Sequence, residues 1–277
     1  MLDKAEVTAL KKQALEIRKS TIREIACFGS GHIGGAMSIV ELLTILYYKE
    51  MNIDVADPKK EDRDRFVCSK GHAGPAVYAT LASKGFFPSE WLETLNKGGT
   101  RLPSHCDMTK TPGIDFTGGS LGQGISAAVG IALGQRLKGQ AARTYCVIGD
   151  GEAQEGSVYE AAECAGAWKL SNLTLFLDLN GQQLDGYTAD IIPSGDVKKR
   201  WESFGFNAVE VNGHDFEELY GAIEASKASE KPTMVIMHTQ KSHGYIPGEG
   251  IKSNHSMGVK PDVAEKAIAE LEAREAL

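Results

Sequence analysis

The chain has 277 residues, 42% of them hydrophobic, enough to bury a core without disulfide or metal staples. Thirty basic residues stand against thirty-seven acidic ones, and the net charge of −7 argues against a nucleic-acid binder or a polybasic membrane-surface protein. No apolar run approaches the ~20 residues of a membrane span, and Met1 to Glu6 lack the basic and apolar regions of a secretory signal. Five cysteines without a Cys-x-x-Cys pair fit a reduced cytoplasm better than a disulfide or zinc framework. Thirty-one glycines are an excess that the elements must explain.

Leu2, Val7, Leu10, Ala14, Ile17, Ile22 and Ile25 recur at three-to-four spacing and predict a helix over the first thirty residues. A second helix is expected from about Ser38 to Met51, and a charged surface loop from Asn52 to Asp64. Arg65 to Cys68 is a short strand candidate, followed by a helix from His72 to Lys84. Apolar runs at Thr144–Ile148, Leu173–Leu177, Ala208–Val211 and Thr233–Met237 alternate with helical segments, one of them Asp215 to Lys227 with a capping-box pattern at Asp215 and Glu218. Such alternation predicts a single α/β domain over 1–277, a parallel sheet with helices on both faces. Ligands of such sheets collect at the carboxyl ends of the strands, so chemistry is expected just after residues 68, 148, 177, 211 and 237.

Three glycine clusters carry motifs. Gly29-Ser30-Gly31-His32-Ile33-Gly34 matches G-x-G-x-x-G, but a helix precedes it where a dinucleotide site needs a strand. What remains is a helix terminus or a ligand loop presenting His32. Gly119-Ser120-Leu121-Gly122-Gln123-Gly124 precedes a small-residue helix and is compatible with close packing or with a ligand. The third is the most informative: a strand ends in Gly149-Asp150-Gly151, and thirty residues after Asp150 the next ends in Asp178-Leu179-Asn180. A carboxylate and an amide oxygen at neighbouring strand ends can share one hard cation, while backbone N–H groups at a helix start receive a diphosphate. A capping Asp and a turn Asn explain each residue singly, but explain the pair at this spacing less well.

These residues resemble the thiamine diphosphate fingerprint, G-D-G followed about thirty residues later by N. Ser30-Gly31-His32, Ser69-Lys70-Gly71-His72-Ala73, Thr111-Pro112-Gly113 with Gly119 to Gly124, Asp185-Gly186 and Gly213-His214-Asp215 are similar to segments of transketolases. The resemblance implies a thiamine-diphosphate-binding fold with metal ligands at Asp150, the Asn180 side chain and the Gln182 carbonyl. Magnesium is the expected ion, with calcium or manganese as alternatives. It implies catalytic imidazoles at His32, His105 and His255, with His72 completing a ring over the thiazolium and His243 competing with His255. Cofactor contacts are implied at His72, Gly119, Ser120, Leu121, Gly149, Asp150, Gly151, Glu155, Asn180 and Leu184; His214 and His238 read as structural.

The pattern departs in places. Ile33 replaces the proline usual after His32, Cys106 follows His105 where the family shows proline, and Ser256 follows His255 where it shows glycine. A complete transketolase is more than twice as long, and its further part holds the activating glutamate, the aminopyrimidine pocket and the arginines for sugar phosphate. Residues from about 245 onward read as an extension of the diphosphate-binding domain. The resemblance therefore implies the amino-terminal subunit of a split transketolase, acting on sugars with a complementing carboxyl-terminal subunit in a two-plus-two heterotetramer. Alternatives are a 1-deoxyxylulose-5-phosphate synthase-like or 2-oxo-acid dehydrogenase α-type subunit, and a non-catalytic cofactor-binding paralogue.

Overall fold

The computed structural model describes residues 1–275. Helix α1 (Lys4–Phe28) starts at a reciprocal capping box: Glu6 N–H donates to the Asp3 carboxylate at 2.8 Å, and Asp3 N–H donates to the Glu6 carboxylate at 2.9 Å. It stops at Gly29, whose φ of 94° is left-handed. After strand β1 (Ser30–Gly31) the chain forms α2 (Ile33–Met37) and α3 (Val40–Ile45), which runs into a π turn at Leu46–Glu50. The helix expected from about Ser38 to Met51 forms from Val40 through the π turn to Glu50; a turn at Ser38–Ile39, where the Ser38 hydroxyl donates to Asp178 at 2.7 Å, separates it from α2.

Strand β2 (Arg65–Cys68), a 3-10 turn (Gly71–Ala73) and α4 (Gly74–Lys84) follow, then a 3-10 segment (Ser89–Thr94) and α5 (Gln123–Leu137). Next come β3 (Thr144–Gly149), α6 (Gly156–Ala167), β4 (Leu173–Leu179) and a hairpin of β5 (Gln182–Gln183) and β6 (Gly186–Tyr187). The remainder is α7 (Thr188–Ile191), α8 (Val197–Ser203), β7 (Asn207–Asn212), α9 (Phe216–Lys227), β8 (Thr233–His238), β9 (Met257–Gly258) and α10 (Pro261–Glu275). The expected capping box of α9 forms by half. Asp215 accepts from Glu217 and Glu218, but the Glu218 carboxylate takes the Asn212 N–H instead, because Asp215 N–H already donates to the Asn212 carbonyl.

Five strands pair in parallel in the order β2-β3-β4-β8-β7. Side chains alternate between two buried layers. Phe66, Tyr145, Val147, Phe176, Val235 and Met237 pack toward α1, α3, α4, α9 and α10; Val67, Cys146, Ile148, Leu175, Leu177, Met234 and Ile236 pack toward α5, α6 and α8. The register sets Gly149 beside Asp178 and Asp178 beside Met237, so the strand ends that carry chemistry lie in one row. Among the described residues no helix is long and apolar enough to cross a membrane.

Candidate functional site

A cavity of about 420 Å³ opens at the carboxyl ends of β2, β3, β4 and β8. The fifth expected position, after Val211, lies on edge strand β7 and contributes nothing to it. His32, His72, His105 and His255 all line it. Ring centroids are 5.5 Å apart for His32–His72, 5.3 Å for His32–His105, 5.4 Å for His32–His255 and 4.8 Å for His72–His255. Two local structures assemble this ring. The two-residue strands β1 and β9 pair antiparallel, Gly31 against Met257, and bring His32 to His255. Cys106 N–H donates to the Gly71 carbonyl at 3.2 Å and Gly118 N–H to the Cys106 carbonyl at 3.1 Å, setting the His105 loop over the His72 turn. A Cβ on Gly71 would collide with the Gly118 carbonyl, so this closure requires glycine.

Burial lowers all four imidazoles below their ordinary pKa. His72 lies well below, with the Lys70 ammonium adding to burial, and His255 is held at about 4 by burial and Lys241. At neutral pH each ring is uncharged, with one N–H to give and one lone pair to accept.

The cavity floor is made of oxygen donors. Asp150 is 3% exposed and accepts from Gly151 N–H at 2.8 Å and Gly181 N–H at 2.7 Å. Burial, then the charge of Asp178, push its carboxyl up to about 6. Asn180 Nδ2 donates to Asp178 at 2.9 Å, which fixes the amide so that its Oδ1 is the free-facing acceptor, and that Oδ1 takes the Gln182 N–H at 3.1 Å. The buried side-chain carbonyls of Gln182 and Gln183 have no partner. A buried carboxylate raised in pKa beside an amide oxygen, main-chain carbonyls and orphaned acceptors is the donor set of a hard cation such as Mg²⁺, and the residues fit that ion.

Gly119, Leu121, Gly149 and Gly151 form wall; Leu184 (67% exposed) and the exposed Glu155 stand at the rim, and Ser120 is exposed outside it. The glycines of 119–124 divide between the two roles left open: a Cβ on Gly124 would lie 2.5 Å from Ser69, whereas one on Gly119 meets only the His105 ring at 3.9 Å. His243 lies away from the cavity, stacked on His214 at 3.7 Å, while His238 pairs with Glu210 at 2.8 Å on the surface.

Four charged residues at the site were not expected from the sequence. Lys70 and Asp178, 1% and 0% exposed, form an ion pair at 2.5 Å beneath the histidines. Glu152, 2% exposed, accepts from the Ser69 hydroxyl, Gly122 N–H at 2.9 Å and Gly149 N–H at 3.0 Å, and so holds the loops on either side of Asp150. Lys241, 4% exposed, places its ammonium 3.4 Å from the Gln182 carbonyl and 3.4 Å from His255 Nδ1. Three carry a signal, Asp178 as a charge inside an apolar strand end and Lys70 and Glu152 as charges inside glycine motifs; Lys241, in a polar run after β8, carries none.

The chain is similar to known proteins along nearly its whole length. The family described as transketolase, thiamine diphosphate binding domain, matches residues 10–271. The 6-deoxy-6-sulfo-D-fructose transketolase subunit SqwG of Clostridium sp. (strain MSTE9) is 47% identical over 264 residues, 95% of this chain and 96% of that one. An apulose-4-phosphate transketolase subunit of Actinobacillus succinogenes is 37% identical over 95% of each chain. Rat transketolase is 38% identical over 97% of this chain but only 43% of its own length. The crystal structure of transketolase from Campylobacter jejuni superposes with a TM-score of 0.89 at 31% identity, covering 96% of this chain and 43% of that one. The family match over residues 10–271, with relatives that align along nearly the whole sequence, places this chain in the transketolase family, as its thiamine diphosphate binding domain.

Proposed function

We propose that the chain is the amino-terminal subunit of a split transketolase. With a carboxyl-terminal subunit, in a two-plus-two heterotetramer, it moves a two-carbon ketol unit from a ketose to an aldose. The observation that carries this reading is the ring of four neutral histidines facing the same cavity as the Asp150–Asn180–Gln182 oxygen set. Relatives of matching length are named as transketolase subunits, and single-chain transketolases are more than twice as long, which supports a complementing chain. The whole chain then acts as one diphosphate-binding unit, in a reduced cytoplasm that suits its five free cysteines.

Thiamine diphosphate, when bound, supplies the electron sink for carbon–carbon cleavage. Asp150, the Asn180 amide oxygen and the Gln182 main-chain carbonyl would hold Mg²⁺, or Ca²⁺ or Mn²⁺, against the diphosphate, with Gly149, Gly151, Gly119 and Leu121 lining its approach and Ser120 outside it. Glu155 and Leu184 stand at the rim, where they would meet a bound cofactor on the side a second chain would cover. An imidazole nitrogen of His32 or His105 receives the proton of the donor hydroxyl and returns it to the acceptor oxygen, with His72 and His255 holding the oxygens between them. Neutral imidazoles can do both because neither direction first requires loss of a charge. Of the two ammonium groups at the cavity Lys70 is paired with Asp178, which leaves Lys241 as the one that would face a diphosphate.

The donor ketose carries a terminal anion, and the name of the 47% identical relative makes a sulfonated fructose the first donor to test. The test is the reconstituted complex with a ketose donor and an aldose acceptor, and separately with pyruvate. Ketol transfer without carbon dioxide release is expected. Carbon dioxide from pyruvate would contradict the reading and favour a decarboxylating relative of the fold.

A further inference from the structure

Outside the cavity, Glu41, His214 and His243 bring ligand-type atoms within 4.8 Å of one another. Hydrogen bonding excludes a metal there. The Gln240 N–H donates to His214 Nε2 at 2.8 Å, so the neutral ring carries its proton on Nδ1 and gives it to Glu41 at 3.1 Å. The other Glu41 oxygen is already taken by Arg18 at 2.5 Å, both side chains being about 5% exposed or less. Burial alone would push the Glu41 carboxyl up; Arg18 and His214 overcome it and hold it at about 2.

What this buried network grips is one short loop. His214 holds the Gln240 N–H, Arg18 Nε donates to the His243 carbonyl at 3.2 Å, and between them Ser242 N–H donates to the Gly34 carbonyl at 3.0 Å. Ser242 has φ of 64°, a left-handed conformation that a serine keeps only when its surroundings impose it. The residue inside this grip is Lys241, whose ammonium lines the cofactor cavity. We infer that Arg18, Glu41 and His214 form a positioning network that fixes the loop 240–243 and thereby sets the Lys241 ammonium against the cofactor's diphosphate. The inference rests on the cofactor assignment above. Arg18, Glu41 and His214 do not line the cavity, so they would act on the cofactor only through the loop, as positioning residues.

The test is a double-mutant cycle in the two-chain complex, with thiamine diphosphate affinity measured by calorimetry at saturating Mg²⁺. His214→Leu removes the acceptor for Gln240 N–H and the donor to Glu41, whereas His214→Gln keeps both functions. We expect His214→Leu to weaken cofactor binding about tenfold, His214→Gln to stay within about twofold, and the His214→Leu loss to disappear in a Lys241→Met background. An undiminished loss in that background, or wild-type affinity in a folded His214→Leu complex, would overturn the inference. If His214→Leu does not assemble, Glu41→Gln, of the same shape, enters the same cycle with the same expected non-additivity. A wild-type complex that binds no thiamine diphosphate would instead bring down the functional reading, and this inference with it.

Discussion

Lys70→Met is the perturbation whose size can be worked most closely from the structure. Lys70 and Asp178 are both sealed from solvent and lie 2.5 Å apart beneath the histidine ring. Removing one partner of such a pair leaves an uncompensated buried charge, at a cost of roughly 3–5 kcal/mol. Asp178 keeps three other donors, Ser38 at 2.7 Å, Asn180 at 2.9 Å and the Thr239 hydroxyl, so the lower end applies, about 3 kcal/mol. That corresponds to a fall in Tm of roughly 6–12 °C for a chain of this size. The pH dependence follows from Asp178. Burial favours its protonated form, but Lys70 and its hydrogen bonds outweigh this and hold the carboxyl below its ordinary value. In the wild type its stabilisation is therefore complete above the ordinary carboxylate pKa and is lost as pH falls through the depressed folded value. Without Lys70 the folded carboxyl titrates upward and takes a proton on acidification, so the deficit of Lys70→Met narrows from pH 7 to pH 5. Urea denaturation at both pH values measures it, and Asp178→Asn in the same chain should restore most of the loss. A deficit under about 1 kcal/mol at pH 7, or one equal at pH 5, would refute the reasoning.

Asp150→Ala should abolish Mg²⁺-dependent binding of thiamine diphosphate, read by calorimetry; unchanged affinity would mean that the metal site is misassigned. The native Asp150 carboxyl binds its proton more tightly than the unfolded one, so the metal-free chain should lose about 2 kcal/mol of stability as pH rises from 4 to 6, a slope that Asp150→Asn removes in denaturant titrations. His32→Ala and His105→Ala should lower ketol transfer by about 10²–10⁴-fold, with cofactor affinity retained in the same preparations. Glu24 is 1% exposed and neither carboxyl oxygen has a partner, and burial raises its pKa well above the ordinary value. Glu24→Leu should therefore stabilise the chain by about 1–3 kcal/mol in urea titrations.

The parallel sheet and the adjacent strand ends that carry Asp150 and Asn180 were legible because both are written in short-range pattern. Thr144 to Gly151 and Leu173 to Asn180 each carry an apolar run and the polar group that ends it, so neighbouring strands bring Asp150 and Asn180 together without further information. The histidine ring was readable only through resemblance. Its closure depends on the pairing of Ser30–Gly31 with Met257–Gly258, two strands too short to leave a periodicity and far apart in sequence. Lys70, Asp178, Glu152 and Lys241 were missed because a buried charge looks like a surface charge until its partner is located. Asp178 is stabilised by Asn180 nearby in its own segment and by Lys70, Ser38 and Thr239 from three others.

If this chain holds the diphosphate, the metal and the histidines, a second chain must complete the enzyme. Ketol transfer is therefore to be measured with the purified chain alone, supplied with thiamine diphosphate, Mg²⁺, a ketose and an aldose, and again after adding the complementing carboxyl-terminal subunit. No turnover is expected from the chain alone, and cofactor-dependent turnover from the pair. Robust turnover by the chain alone would contradict the two-chain reading.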